Sequence, residues 1–180
     1  FYKMSLSGER PVQIGKIAGS FATLSPENDT IVFCRYGNAY REAYTGSLNG
    51  DLWSLDIASG EYTKLTDTPY TERYPAFSHL TDSLFYCYSD GKCFQLHRVQ
   101  DMNFDRPVKM SELETFSARD ISVARANDRI VFEHFNEIYK YDPTKIGKAR
   151  VQKLDVTIRE DLWQSSVREV SMRDEVEDYT

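Results

Sequence analysis

The sequence is poor in the residues that build covalent or metal-held cores. Cysteine occurs only at Cys34, Cys87 and Cys93, an odd and low count that is no disulfide framework. Cys87 and Cys93 flank the turn Ser89-Asp90-Gly91-Lys92, which places them on neighbouring strands of one expected hairpin. A bridge between them is open in an oxidising compartment, while the ordinary reading is small apolar side chains on sheet faces. No C-x-x-C or H-x-x-x-H spacing offers zinc ligands, so no metal and no cofactor is expected. There is no G-x-S-x-G, no Walker loop and no G-x-G-x-x-G. No apolar run approaches the roughly 18–20 residues of a membrane span. Basic residues are outnumbered, giving a net charge of -6, which argues against a nucleic-acid backbone as partner.

What the sequence has is aromatic: 12 Tyr, 10 Phe and 2 Trp, 13% of all residues, a bias that favours strands. It also repeats. The segments 21–33, 74–86 and 120–132 align without gaps. Phe21 to Tyr74 is an offset of 53 residues and Tyr74 to Asp120 one of 46, close to the ~40–50 of a four-stranded propeller blade. Leu24, Phe77 and Val123 end one expected strand. Asp29, Asp82 and Asp128 sit in the turn after it, where Asp bonds its own backbone and tolerates unusual dihedrals. Ile31, Leu84 and Ile130, then Phe33, Tyr86 and Phe132, alternate along the next strand.

A second block follows each first one: Asp51-Leu52-Trp53-Ser54-Leu55-Asp56, Gln95-Leu96-His97-Arg98-Val99 and Glu137-Ile138-Tyr139-Lys140-Tyr141-Asp142. Last strands end at Lys64-Leu65, Lys109-Met110 and Lys153-Leu154. The opening, Phe1-Tyr2-Lys3-Met4 and then Pro11-Val12-Gln13-Ile14, repeats only this second half. The expectation is therefore an all-β chain, a β-propeller fragment of about three and a half four-stranded antiparallel blades. Residues 1–16 form the second half of a blade, 17–66, 67–117 and 118–155 form blades, and 156–180 form a charged linker toward a following domain. The natural start is expected upstream of Phe1. One such sheet cannot bury both faces, and radial stacking covers them. An incomplete ring leaves open end faces, so an open arc is expected, with self-association as a consequence.

The turn Leu24-Ser25-Pro26-Glu27-Asn28-Asp29, the strand Gly50-Asp51-Leu52-Trp53-Ser54-Leu55-Asp56 and the ending Ser59-Gly60-Glu61-Tyr62-Thr63-Lys64-Leu65-Thr66-Asp67 resemble the WD-like repeats of TolB-type and tricorn-type propellers. The long insertion from Arg35, and the charged exit after Leu154, tilt the resemblance toward tricorn-type serine peptidases. It implies an N-terminal propeller region that serves scaffolding and substrate access, with the catalytic groups elsewhere in the parent protein. It also implies a bacterial periplasmic or secreted setting and the remaining domains of the parent chain as partners. A TolB-like propeller that binds a protein without catalysis is the other reading. Ser78-His79-Leu80-Thr81 and Ala124-Arg125-Ala126-Asn127 lack the Pro and Gly usual in the family's turns.

A catalytic nucleophile needs a base and an orienting group beside it. His79 falls in a turn, His97 in a strand and His134 at a strand end, each at a repeat position that explains it structurally. No catalytic residue is assigned. A sugar-active propeller would need two converging carboxylates, but Glu42, Asp51, Glu72 and Glu133 fall on different strands and loops. The candidate contact surface is the insertion at 35–50 with the entry to the next blade: Arg35, Tyr36, Tyr40, Arg41, Tyr44, Tyr70 and Arg73. Tyr and Arg are enriched at contact hot spots, and a loop projecting from a sheet scaffold is free to carry function. The expected partner is a peptide or protein; an ordered loop packed on its own scaffold is the competing expectation.

Overall fold

The computed structural model describes residues 1–38 and 40–157. Most of the expected charged linker at 156–180 lies outside them. The strands are β1 (Tyr2–Lys3), β2 (Val12–Gln13), β3 (Ser20–Leu24), β4 (Thr30–Arg35), β5 (Asp51–Asp56), β6 (Tyr62–Lys64), β7 (Glu72–Phe77), β8 (Ser83–Ser89), β9 (Phe94–Gln100), β10 (Val108–Lys109), β11 (Arg119–Val123), β12 (Ile130–His134), β13 (Glu137–Tyr141) and β14 (Val151–Lys153). They form three four-stranded antiparallel sheets, β3–β6, β7–β10 and β11–β14, and one two-stranded sheet, β1–β2. These are blades 1, 2 and 3 and a half-blade. β7 packs against both β3 and β11, so the first strand of each blade lines the inside of an open arc. No helix among the described residues is long and apolar enough to cross a membrane.

The repeat recurs in backbone detail. Each inner strand breaks register with its neighbour once, between Ser20 and Thr23, Arg73 and Ala76, and Arg119 and Ser122. A left-handed residue follows each break's first residue: Phe21 at φ 54°, Tyr74 at 55° and Asp120 at 47°. Such bulges bend a strand and sharpen its twist. Bulky residues rarely adopt this conformation, so the three matching positions are a built feature of the repeat. In the first turn the left-handed residue is Asn28, not Asp29. Asp29 instead accepts a 2.8 Å hydrogen bond from Ser25 Oγ. Blade 3 has Ala124 in place of that serine, and Asp128 takes its bond across the blade boundary from Ser78 Oγ, at 2.8 Å.

Alternation puts one face of each strand on the next blade. Val32, Cys34 and Leu52 of blade 1 meet Leu84, Tyr86 and Val99 of blade 2 in one core. Phe85, Cys87, Phe94 and Leu96 of blade 2 meet Ile130, Phe132 and Tyr141 of blade 3 in the other. The first face of blade 1 is capped by the half-blade, where Phe1 meets Phe33 edge-on at 4.9 Å. Among the described residues nothing covers the last face of blade 3: Val131 and Ile138 are exposed, and Glu133 stands where Cys34 and Cys87 stand in the covered blades. Cys87 pairs in register with Leu96, and all three cysteines are free thiols. The option of a Cys87–Cys93 bridge is thus not taken up.

Candidate functional site

Antiparallel order divides the arc into two ends. The β3–β4, β7–β8 and β11–β12 turns share one end. The other end collects the 35–50 insertion, the β8–β9 and β12–β13 hairpins and the entries to β7 and β11. Every guanidinium–aromatic stack found among the described residues is at this second end. Arg35 lies over Tyr36 at 4.8 Å and over Trp53 at 5.1 Å. Arg41 lies over Tyr44 at 5.8 Å. Arg73 lies over Phe21 at 4.6 Å and Tyr74 at 5.3 Å. Arg119 lies over Tyr40 at 4.6 Å.

The insertion is a strap. It leaves blade 1 at Arg35, crosses blade 2 and is fastened to blade 3. Inside it, Gly37 N donates to Leu48 O and Asn49 N to Gly46 O. Gly37 sits at φ 78° with the Gly50 backbone close beside it, which only glycine accommodates without strain. The strap's root is tied to the β7 entry: Asn49 Nδ2 donates to Thr68 O and Tyr70 O, and Glu72 N donates to Gly50 O. On blade 2, Ser89 Oγ donates to the Glu42 carbonyl at 2.5 Å. On blade 3, Glu42 Oε1 accepts from Ser117 Oγ at 2.7 Å and from Arg119 Nη2 at 3.2 Å. Charge-assisted bonds of this kind are the stronger ones.

The residues expected at this surface take distinct places. Tyr36 and Tyr40 are exposed, at 52% and 77%. Arg41, Tyr44 and Leu48 join Tyr36, Gly37 and Asn38 around an open cleft of about 350 Å³. Arg35 donates to the Tyr36 hydroxyl at 2.9 Å. Tyr70 is half-buried and lies against Gly91, whose φ is 86°. Arg73 is not on the rim. It is buried, and its Nε and Nη1 have no hydrogen-bond partner. Three residues were not anticipated. Arg119 and Glu42 form the fastening, and Phe135 at the β12–β13 tip stacks on Phe116 at 3.9 Å while 56% exposed. Phe135 occupies a left-handed position, φ 52°, where hairpins prefer Asn, Asp or Gly.

Beneath the strap's root lies a buried carboxylate. Glu72 accepts from Thr66 Oγ1 at 3.1 Å and from Thr68 Oγ1. Burial raises it to about 7, against the lowering effect of those hydroxyls. The histidines are dispersed. His79 is exposed in a turn at the opposite end. His97 is held between Tyr86 and Tyr88, and burial lowers it to about 4. His134 meets Phe116, Phe132 and Tyr139, with burial lowering it too. Among the described residues, no group of three or more His, Cys, Asp or Glu is arranged to hold a metal ion.

No protein-family profile matches the chain. No curated protein sequence matches it either. Solved structures do. A protein described as a TolB from Agrobacterium tumefaciens matches with a TM-score of 0.67 at 17% identity, covering 84% of this chain and 55% of that one. The tricorn protease matches at 0.59 and 17% identity, covering 79% of this chain and 13% of that one. A puromycin-hydrolyzing peptidase from Mycobacterium tuberculosis matches at 0.58 and 11% identity, over 84% of this chain and 24% of that one. The chain thus spans about half of the TolB structure and a small part of each peptidase. At these identities the likeness concerns the fold, and the fold is a partial propeller of the kind found in TolB and tricorn-type proteins.

Proposed function

We propose that this chain is a scaffolding and polypeptide-contact segment of a β-propeller, working through the strap end. In the leading reading the propeller belongs to a tricorn-type serine peptidase and governs substrate access, with bond cleavage carried out by other parts of that protein. The observation that carries the contact role is the gathering of Arg35 and Arg41 with the exposed Tyr36 and Tyr40 on one strap. That strap is held to blade 3 through Glu42. Guanidinium and tyrosine groups fixed in advance lose little entropy on contact, which favours binding. A second reading, a TolB-like propeller that docks a protein partner without catalysis, is favoured by the larger share of the TolB structure that this chain covers.

Both readings place contact on the same end, and one experiment tests that. A photo-crosslinking residue is placed at Tyr36 or, as a control, at Leu80 on the opposite end. The probe is an equimolar mixture of acidic, neutral and basic dodecapeptides. Adducts at position 36 and none at 80 are expected; equal labelling would remove the contact role. The chain alone is also expected to leave a fluorogenic peptide uncleaved. Turnover blocked by a serine-directed inhibitor would contradict the assignment of catalysis to other parts.

A further inference from the structure

The entries to β7 and β11 are repeat equivalents, and each offers a hydroxyl and a guanidinium two residues apart: Thr71 with Arg73, and Ser117 with Arg119. The backbone around them matches bond for bond. Gly50 N donates to Thr71 Oγ1 at 3.1 Å, as Phe94 N does to Ser117 Oγ at 3.0 Å. Glu72 N donates to Gly50 O at 2.8 Å, as Ala118 N does to Phe94 O at 2.9 Å. In blade 3 this arrangement holds a carboxylate, that of Glu42, on Ser117 Oγ and Arg119 Nη2.

In blade 2 no carboxylate of the described residues is bonded to this pair, and the Arg73 guanidinium lies over Phe21 and Tyr74 instead. Arg73 is only 6% exposed, and its Nε and Nη1 are buried without a hydrogen-bond partner. The neighbouring Glu72 carboxylate is turned to Thr66 and Thr68. Arg73 reaches the Tyr74 hydroxyl, on which Asp120 of the next inner strand also acts, but its Nε and Nη1 remain without a partner. Buried donors are nearly always paired, and an unpaired buried charge is strongly unfavourable. The filled twin shows what the arrangement accepts.

We propose that Thr71 and Arg73 form a carboxylate site that receives an acidic side chain from a polypeptide docked on the strap end, as Glu42 fills the equivalent site in blade 3. Phe21, over which Arg73 is stacked, is the side chain that yields to the entering carboxylate. The choice of a polypeptide rests on the contact role proposed above; the carboxylate site itself does not.

Calorimetric titration of the whole chain tests this with three probes: hexaglutamate, hexaglutamine and glutarate. Hexaglutamate is expected to bind and hexaglutamine not to. Arg73→Met keeps length and packing while removing the charge, and should weaken hexaglutamate by about tenfold or more. Phe21→Ala removes the side chain that must yield and should strengthen hexaglutamate several-fold. That variant leaves Arg73 untouched, so it reports even if Arg73→Met folds poorly. Unchanged affinity in Arg73→Met with affinity lost in Arg41→Ala would overturn the site and leave the contact role standing. Glutarate bound at Arg73 without hexaglutamate binding would keep the site and remove the polypeptide. Binding of neither anionic probe would overturn the site.

Discussion

The junction of blades 1 and 2 and the junction of blades 2 and 3 are built on one backbone plan and filled with opposite chemistry. In the first, Leu52 N donates to Thr66 Oγ1; in the second, Leu96 N donates to Ser111 Oγ, both at 2.9 Å. The position after the entry hydroxyl is Glu72 in the first and Ala118 in the second. The residue after the Gly50 or Phe94 position is Asp51 in the first and Gln95 in the second. Gln95 is fully engaged: its Oε1 accepts from Ser111 Oγ and Leu113 N, and its Nε2 donates to the Leu113 carbonyl. Asp51 pairs with Lys64 at 3.0 Å, while its other oxygen is buried without a partner. At these two buried frame positions, Gln95 with Ala118 stands in one junction where Asp51 with Glu72 stands in the other. The repeat fixes the hydrogen-bonding frame, and the side chains decide which junction responds to pH.

The largest effect is expected from forcing one junction to imitate the other. Ala118→Glu puts a carboxylate in a fully buried site where Ser111 Oγ already donates to Gln95 and Leu113 stands in the place of Thr68. Unfolding should become easier by about 3 kcal/mol or more at neutral pH, measured by urea denaturation. A near-neutral effect would mean that the second junction can satisfy an acid as the first does.

Next comes removal of the acid from the first junction. Glu72 is raised by burial to about 7 in the folded chain, from an ordinary 4.5. A carboxylate raised on folding binds its proton more tightly in the folded state. Its contribution is therefore fully present below about pH 4.5 and is lost as pH rises through about 7. Glu72→Gln should raise stability above pH 7 by roughly 2–3 kcal/mol and have little effect near pH 4. His97 acts in the opposite sense. Burial lowers it to about 4, so its contribution is present above pH 6.5 and is lost as pH falls through about 4. The wild-type profile between pH 4 and 7 is then a partial cancellation, and Glu72→Gln should uncover the acid-side slope of His97. A variant profile parallel to the wild type would contradict the Glu72 assignment.

The sequence shows why these differences were only partly legible in it. The blades could be read because gap-free spacing at Leu24/Phe77/Val123 and Ile31/Leu84/Ile130 reports strand alternation, a local property. Half of the strap surface could be read because Tyr36, Tyr40, Arg41 and Tyr44 cluster within one segment. The fastening could not. Glu42 meets Ser117 and Arg119 from 75 and 77 residues away, and no local pattern encodes that contact. The burial of Arg73 was likewise hidden, because it depends on Phe21 from the preceding blade covering it. A signal is present in the repeat: continued a few residues upstream, the alignment places Thr71-Glu72-Arg73 over Ser117-Ala118-Arg119.

The strap is held as a fixed element across the two junctions, and amide hydrogen exchange in the wild type and in Glu42→Ala probes that fixation. In the wild type, Gly37, Tyr44, Asn49 and Ala118 should be protected, as their amides donate to backbone carbonyls. Losing Glu42 should cost about 1–2 kcal/mol of local opening free energy. Protection at Tyr44 should fall by about tenfold or more, with Ser25 and Asn28 at the opposite end unchanged. Strap amides that already exchange in the wild type at the rate of an unstructured chain would contradict the account.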